Sequence, residues 1–185
     1  MALFDCTVDA TSGHARALTY ETAHGNFQTP MFMPVGTAAT VKGVMVDTLY
    51  DLKSQVVLAN TYHLSQRPGE SVVAEAGGVH RFMNYDGPML TDSGGFQIFS
   101  LADTRKLDAD GVTFRSIYDG SYVRWTPEEN MRIQMELGAD IAMQLDQCAP
   151  YPATREFVQD AMELSANWAR RCLAAHTRPD QTLFG

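Results

Sequence analysis

A chain of 185 residues, 45% hydrophobic and 19% charged, has the composition of a folded domain and excludes a disordered or low-complexity protein. Its formal net charge of −8 argues against a nucleic-acid-binding module acting alone, although a single groove can still be basic. The three scattered cysteines, the absence of a signal peptide and the lack of an apolar run long enough to span a membrane together predict a cytoplasmic protein.

The first ninety residues predict alternating strands and helices. Residues 14–35 alternate in polarity and break at the stretch AHGN, which is typical of a hairpin, and they end in an apolar run. Asp47 is a suitable cap for a short helix, and a Gly-Gly pair after GESVVAEA is a suitable stop for a second one. Two short apolar runs, at 56–59 and 88–90, predict buried strands that each lead into a polar stretch.

The middle of the chain predicts a second hairpin and a capped helix. Residues 112–125 form two alternating arms around Asp119 and Gly120, which predicts a two-residue turn. Thr126 and Glu129 form a predicted capping box, and the helix that follows ends at Gly138.

The last part predicts a strand up to Asp146, a long helix from Thr154 and the opening of a further strand at residues 181–185. The apolar stripe of the long helix consists of Phe157, Ala161, Leu164, Trp168 and Cys172.

This alternation of short apolar strands with helices predicts a parallel α/β fold. We count about four main-sheet strands, half of the eight that a closed (β/α)8 TIM barrel needs. An open half-barrel leaves one edge unpaired and one face poorly covered. We therefore expect residues 1–185 to form the N-terminal part of a single barrel domain, with an N-terminal hairpin and an inserted hairpin.

Asp92 and Asp146 are the leading candidates for chemistry, because each begins a loop at the end of an apolar strand. Two carboxylates in a partly desolvated pocket can take different protonation states and divide acid and base roles. The plain alternative is that each aspartate braces its own turn through local hydrogen bonds. Spacing alone supports the two interpretations about equally.

The residues after Asp92 allow the same two interpretations. Gly94 and Gly95 favour an ordinary turn, although glycines also allow a ligand to approach the backbone closely. Phe96 is more often a core residue than a stacking platform in such a setting. The neighbouring amide of Gln97 favours the platform, because a planar heterocycle uses both a ring face and a hydrogen-bonding edge.

A second polar cluster follows the strand at 56–59. Asn60 and Thr61 are placed to hold the carboxylate of Asp92 through hydrogen bonds, whereas His63 is more often a structural histidine than a base. The five histidines do not pair with the cysteines at metal-ligand spacings, so no metal site is predicted within these residues.

Four stretches together resemble the tRNA-guanine transglycosylases, particularly the bacterial type. They are MPVGTAATVKGV, LANTYHLSQRPG, LTDSGGFQIFSL and MQLDQCAPYP, in the family's order. The resemblance implies a (β/α)8 barrel with a zinc-binding insertion in its C-terminal half. It also implies exchange of guanine at the first anticodon position of certain tRNAs for a 7-deazaguanine.

The resemblance implies a role for each matching residue. Asp92 would be the proton-transfer group beside the exchanged base, and Asn60 and Thr61 would steady it before the substrate arrives. The residues implied to contact the base are Ser93, Phe96, Gln97, Asp146 and Cys148.

The chain departs from the usual bacterial pattern at two positions. Phe96 stands where many relatives have tyrosine, which keeps the aromatic face. Gln147 stands where the family usually has glutamate, so we expect local charge and fine substrate choice to differ from the family's.

The family's covalent nucleophile, an aspartate, and its zinc ligands belong to the C-terminal half. We therefore expect no cofactor within these residues, a structural zinc and a homodimer in the longer protein, and no turnover by this chain alone. One alternative is a non-catalytic partner subunit or truncated paralogue of the same family. A barrel glycosidase that uses Asp92 and Asp146 as its carboxylate pair is chemically possible, but it leaves Phe96 and Gln97 unexplained.

Overall fold

The computed structural model describes residues 5–101 and 105–185, and it has a mixed α/β architecture. The strands are β1 Cys6–Ser12, β2 Ala15–Thr22, β3 Gly25–Thr29, β4 Val57–Ala59, β5 Met89–Thr91, β6 Arg105–Asp108, β7 Gly111–Arg115, β8 Tyr122–Trp125, β9 Ile141–Met143 and β10 Thr182–Phe184. The helices are α1 Val46–Asp51, α2 Thr61–Gln66, α3 Glu70–Glu75, α4 Val79–Met83, α5 Gly95–Leu101, α6 Pro127–Leu137 and α7 Arg155–Ala175.

The centre of the fold is a parallel sheet of four short strands in the order β10–β9–β5–β4. The parallel α/β class predicted from the sequence is therefore confirmed, and so is the strand predicted at 181–185. The apolar run before residue 36 makes only one parallel bridge to this sheet, from Val35 to Leu58. Because all four strands run in the same direction, their carboxyl ends lie along one edge, where loops can bring side chains together.

The two faces of the parallel sheet have different neighbours. Val57, Ala59 and Met89 are fully buried in the core that the helices also form. Leu90 and Ile141 belong to a smaller cluster that includes Phe27 of β3, so part of the other face is covered by the N-terminal strands. The alternation follows from the two-residue period of a strand, which sends successive side chains to opposite faces.

The N-terminal hairpin is confirmed, with β2 and β3 as its antiparallel arms, but β1 adds a third strand that was not predicted. The Asp47 prediction is wrong, because α1 begins after Met45 and Asp47 lies in its first turn. The helix at 70–75 and its Gly-Gly stop are confirmed, whereas α2 and α4 were not predicted.

The inserted hairpin is confirmed as β7 and β8, with β6 as an unpredicted third strand. Its predicted two-residue turn is wrong. Ser116 and Ser121 continue the pairing through a backbone hydrogen bond of 2.8 Å, so the connection is longer than Asp119 and Gly120. Gly120 does adopt a left-handed conformation, with φ +74°, as its place in a turn predicted.

Both longer helices begin with the predicted caps. The Thr126 and Thr154 hydroxyls accept from the backbone N–H groups of Glu129 and Phe157, and α6 ends at Gly138 in the left-handed region. The carboxylate of Glu129 binds Arg132, so the capping box is formed on one side only.

The apolar stripe predicted on the long helix is confirmed in part. Ala161, Trp168 and Cys172 are buried, whereas Phe157 is 39% exposed. The helices in the described part of the chain include none that is long and apolar enough to cross a membrane.

Candidate active site at the carboxyl ends of the parallel strands

Asp92 follows β5 and receives hydrogen bonds from the polar residues that follow β4. Its Oδ1 accepts from the Thr61 backbone N–H at 2.9 Å, and its Oδ2 accepts from the Asn60 amide. The Thr61 hydroxyl also donates to the Asp92 backbone carbonyl at 2.6 Å. Because β4 and β5 are parallel neighbours, these loops meet at the same edge of the sheet.

Burial raises the pKa of Asp92 above the usual value of an aspartate. Removing a carboxylate from water disfavours its charged form, while the donors Asn60, Thr61 and Gln97 oppose this by stabilising the anion. The Gln97 amide donates to Oδ2 at 3.0 Å. A carboxylate with a raised pKa and fixed donors is suited to accept a proton and later return it.

Asp146 is connected to this cluster by Ser93, the residue that follows Asp92. The Ser93 hydroxyl donates to Asp146 Oδ1 at 2.9 Å, and the Cys148 thiol lies 3.5 Å from Asp146 Oδ2. Burial and the neighbouring Asp146 carboxylate raise the pKa of the Cys148 thiol to about 11, so the thiol stays protonated near neutral pH. The structure thus joins the two predicted aspartates through a serine.

The two positions after Ser93 each require glycine, for different geometric reasons. Gly94 has φ +75°, and a Cβ on it would lie 2.7 Å from a ring carbon of Trp125. A Cβ on Gly95 would lie 2.6 Å from Asp146 Oδ1 and 2.8 Å from the Asp146 backbone oxygen. The glycine pair therefore forms a tight turn that also allows α5 to begin against the Asp146 loop.

Phe96 and Gln97 both lie at the first turn of α5. Phe96 is 61% exposed, so it is not a core residue in the described structure. The Gln97 Oε1 is buried and has no hydrogen-bond partner among the described residues, although its amide nitrogen binds Asp92. The exposed Phe96 ring is a face on which a flat ligand can stack, whereas the Gln97 oxygen lies below the surface.

His63 does not contact Asp92 directly. Its Nδ1 lies 3.0 Å from the Tyr118 hydroxyl of the inserted hairpin, and burial lowers its pKa. This contact supports the structural interpretation of His63, since it ties α2 to the loop between β7 and β8.

A cavity of about 510 Å³ opens next to the Asp146 loop, between the inserted strands and α7. Asp146 and Cys148 line it, but most of its wall is apolar and includes Leu107 and Trp168. Asp92 and Phe96 do not line it. The candidate site, where hydrogen bonds link the two aspartates and their neighbours, thus lies at the edge of the sheet. The cavity lies beside it, on the Asp146 side.

Sequence reasoning missed two residues of α6 that position the site. The Asn130 amide donates to the Ser93 carbonyl at 2.8 Å. The Gln134 side chain is fully buried, and it binds both the Thr91 hydroxyl and the backbone of Met143. Two amides spaced four residues apart on the apolar face of a helix were the available signal.

The fold and the site define an α/β protein with a carboxylate site at the carboxyl edge of its parallel sheet. A sequence model described as Queuine tRNA-ribosyltransferase matches residues 9–185, so the chain belongs to this family. The family resemblance of the four motifs is therefore confirmed.

Curated relatives carry the same description over almost the whole chain. Queuine tRNA-ribosyltransferase of Synechococcus sp. (strain CC9605) is 55% identical over 98% of this chain and 49% of its own length. That of Synechococcus elongatus is 57% identical, covering 92% of this chain and 44% of the relative. The relative from Pelotomaculum thermopropionicum is 54% identical, with 96% and 48% covered. The chain spans about half the length of the curated relatives it matches.

Proposed function

We propose that the protein to which this chain belongs exchanges guanine at the first anticodon position of tRNA for a 7-deazaguanine. The observation that carries this proposal is the Asp92 carboxylate, buried and fixed by Asn60, Thr61 and Gln97 beside a second aspartate. Membership of the Queuine tRNA-ribosyltransferase family supplies the substrate class.

The proposed reaction has two displacements at the ribose C1′. A nucleophile displaces guanine, which takes up a proton from water as it leaves, and a covalent tRNA intermediate forms. The incoming base then attacks C1′ and releases the nucleophile, and the proton taken by Asp92 returns to water. Asp92 accepts the proton that the incoming base loses in this second step. Its raised pKa suits the task, because a base that is too weak cannot take the proton.

The base-binding groups are proposed to surround a flipped nucleotide. Phe96 stacks on one face of the base, which favours the unstacked state. Asp146 accepts hydrogen bonds from the N–H donors of the Watson–Crick edge, and Ser93 and Cys148 keep its carboxylate in place. The Gln97 amide helps to hold the Asp92 carboxylate beside the base.

We further propose that the four parallel strands are part of a (β/α)8 barrel whose remaining strands, with the nucleophile, lie outside these 185 residues. Met143 and Phe184 are only partly buried on the sheet face that further strands would enclose. Dimer formation and tRNA binding are likewise proposed for the longer protein. The resemblance implies a zinc cluster of cysteine and histidine ligands, and the described residues do not fit it, because no cysteine joins a group of potential ligands in 5–101 or 105–185.

The proposal is tested by incubating the whole protein with labelled guanine and a tRNA that carries guanine at the first anticodon position. We expect the label to enter this tRNA and not a matched tRNA with adenine at that position. Failure to label either tRNA, although the protein is folded and binds tRNA, would favour the non-catalytic partner subunit.

Asn60 is proposed to position and tune Asp92, and its replacement should shift a pH profile. Asn60→Leu keeps a side chain of similar size but removes one donor to the Asp92 anion, so the Asp92 pKa rises further. Since Asp92 must be ionised to accept a proton, activity is lost as pH falls through this pKa. The acid limb of kcat/KM for the whole protein should therefore move to higher pH.

The matched control is Asn167→Leu, which changes an exposed asparagine of α7. It should leave the acid limb in place. An Asn60→Leu protein with reduced activity and an unmoved acid limb would show that Asn60 acts only on structure.

A further inference from the structure

Two histidines and a buried aspartate meet at the end of the parallel sheet opposite the active site. Asp140 directly precedes β9, and its carboxylate has no exposed surface. Its Oδ1 lies 2.8 Å from His24 Nδ1, and its Oδ2 lies 3.0 Å from His80 Nε2. Because Asp140 precedes β9 whereas Asp146 follows it, this cluster is separate from the Asp92 site.

The three side chains come from different parts of the chain. His24 lies in the turn between β2 and β3, and His80 lies in α4. His24 and His80 are 116 and 60 positions from Asp140 in sequence. Spacing alone therefore could not reveal the cluster, which is why the sequence predicted no metal site.

We propose that His24, His80 and Asp140 form a binding site for a divalent transition-metal ion. Two imidazole nitrogens and one carboxylate oxygen are a donor set that Zn²⁺, Ni²⁺ and Co²⁺ accept. The three donor atoms lie within 4.8 Å of one another. Neighbouring donors about 2.1 Å from such an ion are about 3.0–3.4 Å apart, so the two nitrogen–oxygen distances need to lengthen only slightly.

The protonation chemistry favours an ion at this position. Neutral imidazoles bind metals, and moving the N–H to the other ring nitrogen frees the nitrogen that faces Asp140. The Asp140 carboxylate faces both histidines and has no exposed surface. Met89 N–H donates to its Oδ2 at 2.8 Å and fixes its orientation, as outer contacts do at metal sites.

Metal binding requires one movement. The two rings are stacked, with centroids 3.6 Å apart and an interplanar angle of 16°. An ion that lies in the plane of both rings needs the His24 ring to rotate out of the stack. His24 can rotate because its side chain is 35% exposed and lies on a surface turn. The His80 side chain is only 8% exposed, so it is held by its neighbours.

The cluster is also accessible. It opens to a cavity of about 470 Å³ that His24 and His80 line together with three carboxylate residues. These are Asp86, Glu136 and Asp180. Arg81 and Arg178 also line this cavity, so its charge is close to balanced. What the cavity supplies is a path to solvent and room for water to complete the coordination of the ion.

The test compares the metal content of the whole protein with that of two variants. His24→Gln removes the mobile ligand at a surface turn, and His14→Gln removes a histidine from the neighbouring turn between β1 and β2. Each protein is dialysed against the same low concentration of Zn²⁺, and bound zinc per chain is measured by mass spectrometry. We expect one ion fewer per chain in His24→Gln than in the wild type and in His14→Gln.

Thermal melting gives a second measurement of the same site. Added Zn²⁺ should raise the melting temperature of the wild type and of His14→Gln by more than that of His24→Gln. Equal zinc content in all three proteins would overturn the proposal. The cluster would then be a set of structural hydrogen bonds from His24 and His80 to Asp140. The result is independent of guanine exchange, so the proposed function and the metal site fail separately.

Discussion

Replacing Asp92 with asparagine in the whole protein is expected to lower the rate of guanine exchange by a factor of about 10² to 10⁴. The amide cannot accept the proton that the incoming base loses. The hydrogen bond from the Thr61 N–H can persist on the remaining oxygen, so the loop after β5 keeps an anchor. The loss should appear in kcat for the incoming base, measured by single-turnover incorporation of labelled guanine.

Two measurements separate this chemical effect from unfolding. Asp160→Asn, on an exposed position of α7, is the matched control and should retain full activity. In Asp92→Asn the new N–H₂ group faces the amides of Asn60 and Gln97, so the melting temperature should fall, and activity is compared at a temperature where both proteins are fully folded. Near-normal exchange by Asp92→Asn would remove Asp92 from the proton-transfer role.

The elements that sequence patterns predicted well are those with strong local signals. Thr126 and Thr154 cap their helices because their hydroxyls satisfy N–H groups that are free in every helix. The strands around residues 57–59 and 89–91 were visible as apolar runs bounded by polar residues. Short helices such as α2 and α4 were missed, since five or six residues carry little periodicity and are stabilised mainly by packing.

The site residues, too, were predicted where the signal was local, at the ends of the apolar strands. The strand ends placed Asp92, Asn60 and Asp146 at one edge, and the structure brings them together through Ser93 and Thr61. Spacing did not decide between a turn and a site for the glycine pair. In the structure a Cβ at Gly95 would lie 2.6 Å from Asp146 Oδ1, so glycine at this position leaves space for the second aspartate.

The His24–His80–Asp140 cluster shows what a single sequence does not reveal. Its members come from the turn between β2 and β3, from α4 and from the residue before β9. Ligand spacings within one short segment predict metal sites, whereas a site assembled from three distant segments has no such pattern. Topology must be known before these residues can be grouped.

Asp146→Asn should change the base preference of the whole protein and should also lower its kcat/KM for guanine. In the proposed site the carboxylate offers acceptors to the two N–H donors on the Watson–Crick edge of guanine, N1–H and the 2-amino group. Asparagine replaces one acceptor with an N–H₂ donor, which faces another donor and leaves both without a partner. At about 1.5–3 kcal/mol for a hydrogen bond to a charged group, kcat/KM for guanine should fall about 10- to 100-fold.

A loss of activity alone would not distinguish base recognition from a disturbed loop, but a change of preference does. Xanthine carries a carbonyl at C2 in place of the amino group, so it presents an acceptor to the new donor. The ratio of guanine to xanthine incorporation should therefore fall in Asp146→Asn, because the variant's amide complements xanthine and the wild-type carboxylate repels its C2 carbonyl. Asp160→Asn makes the same chemical change at an exposed position of α7, and it should keep the wild-type ratio. If Asp146→Asn loses activity towards both bases equally, Asp146 supports the loop through Ser93 and does not read the base.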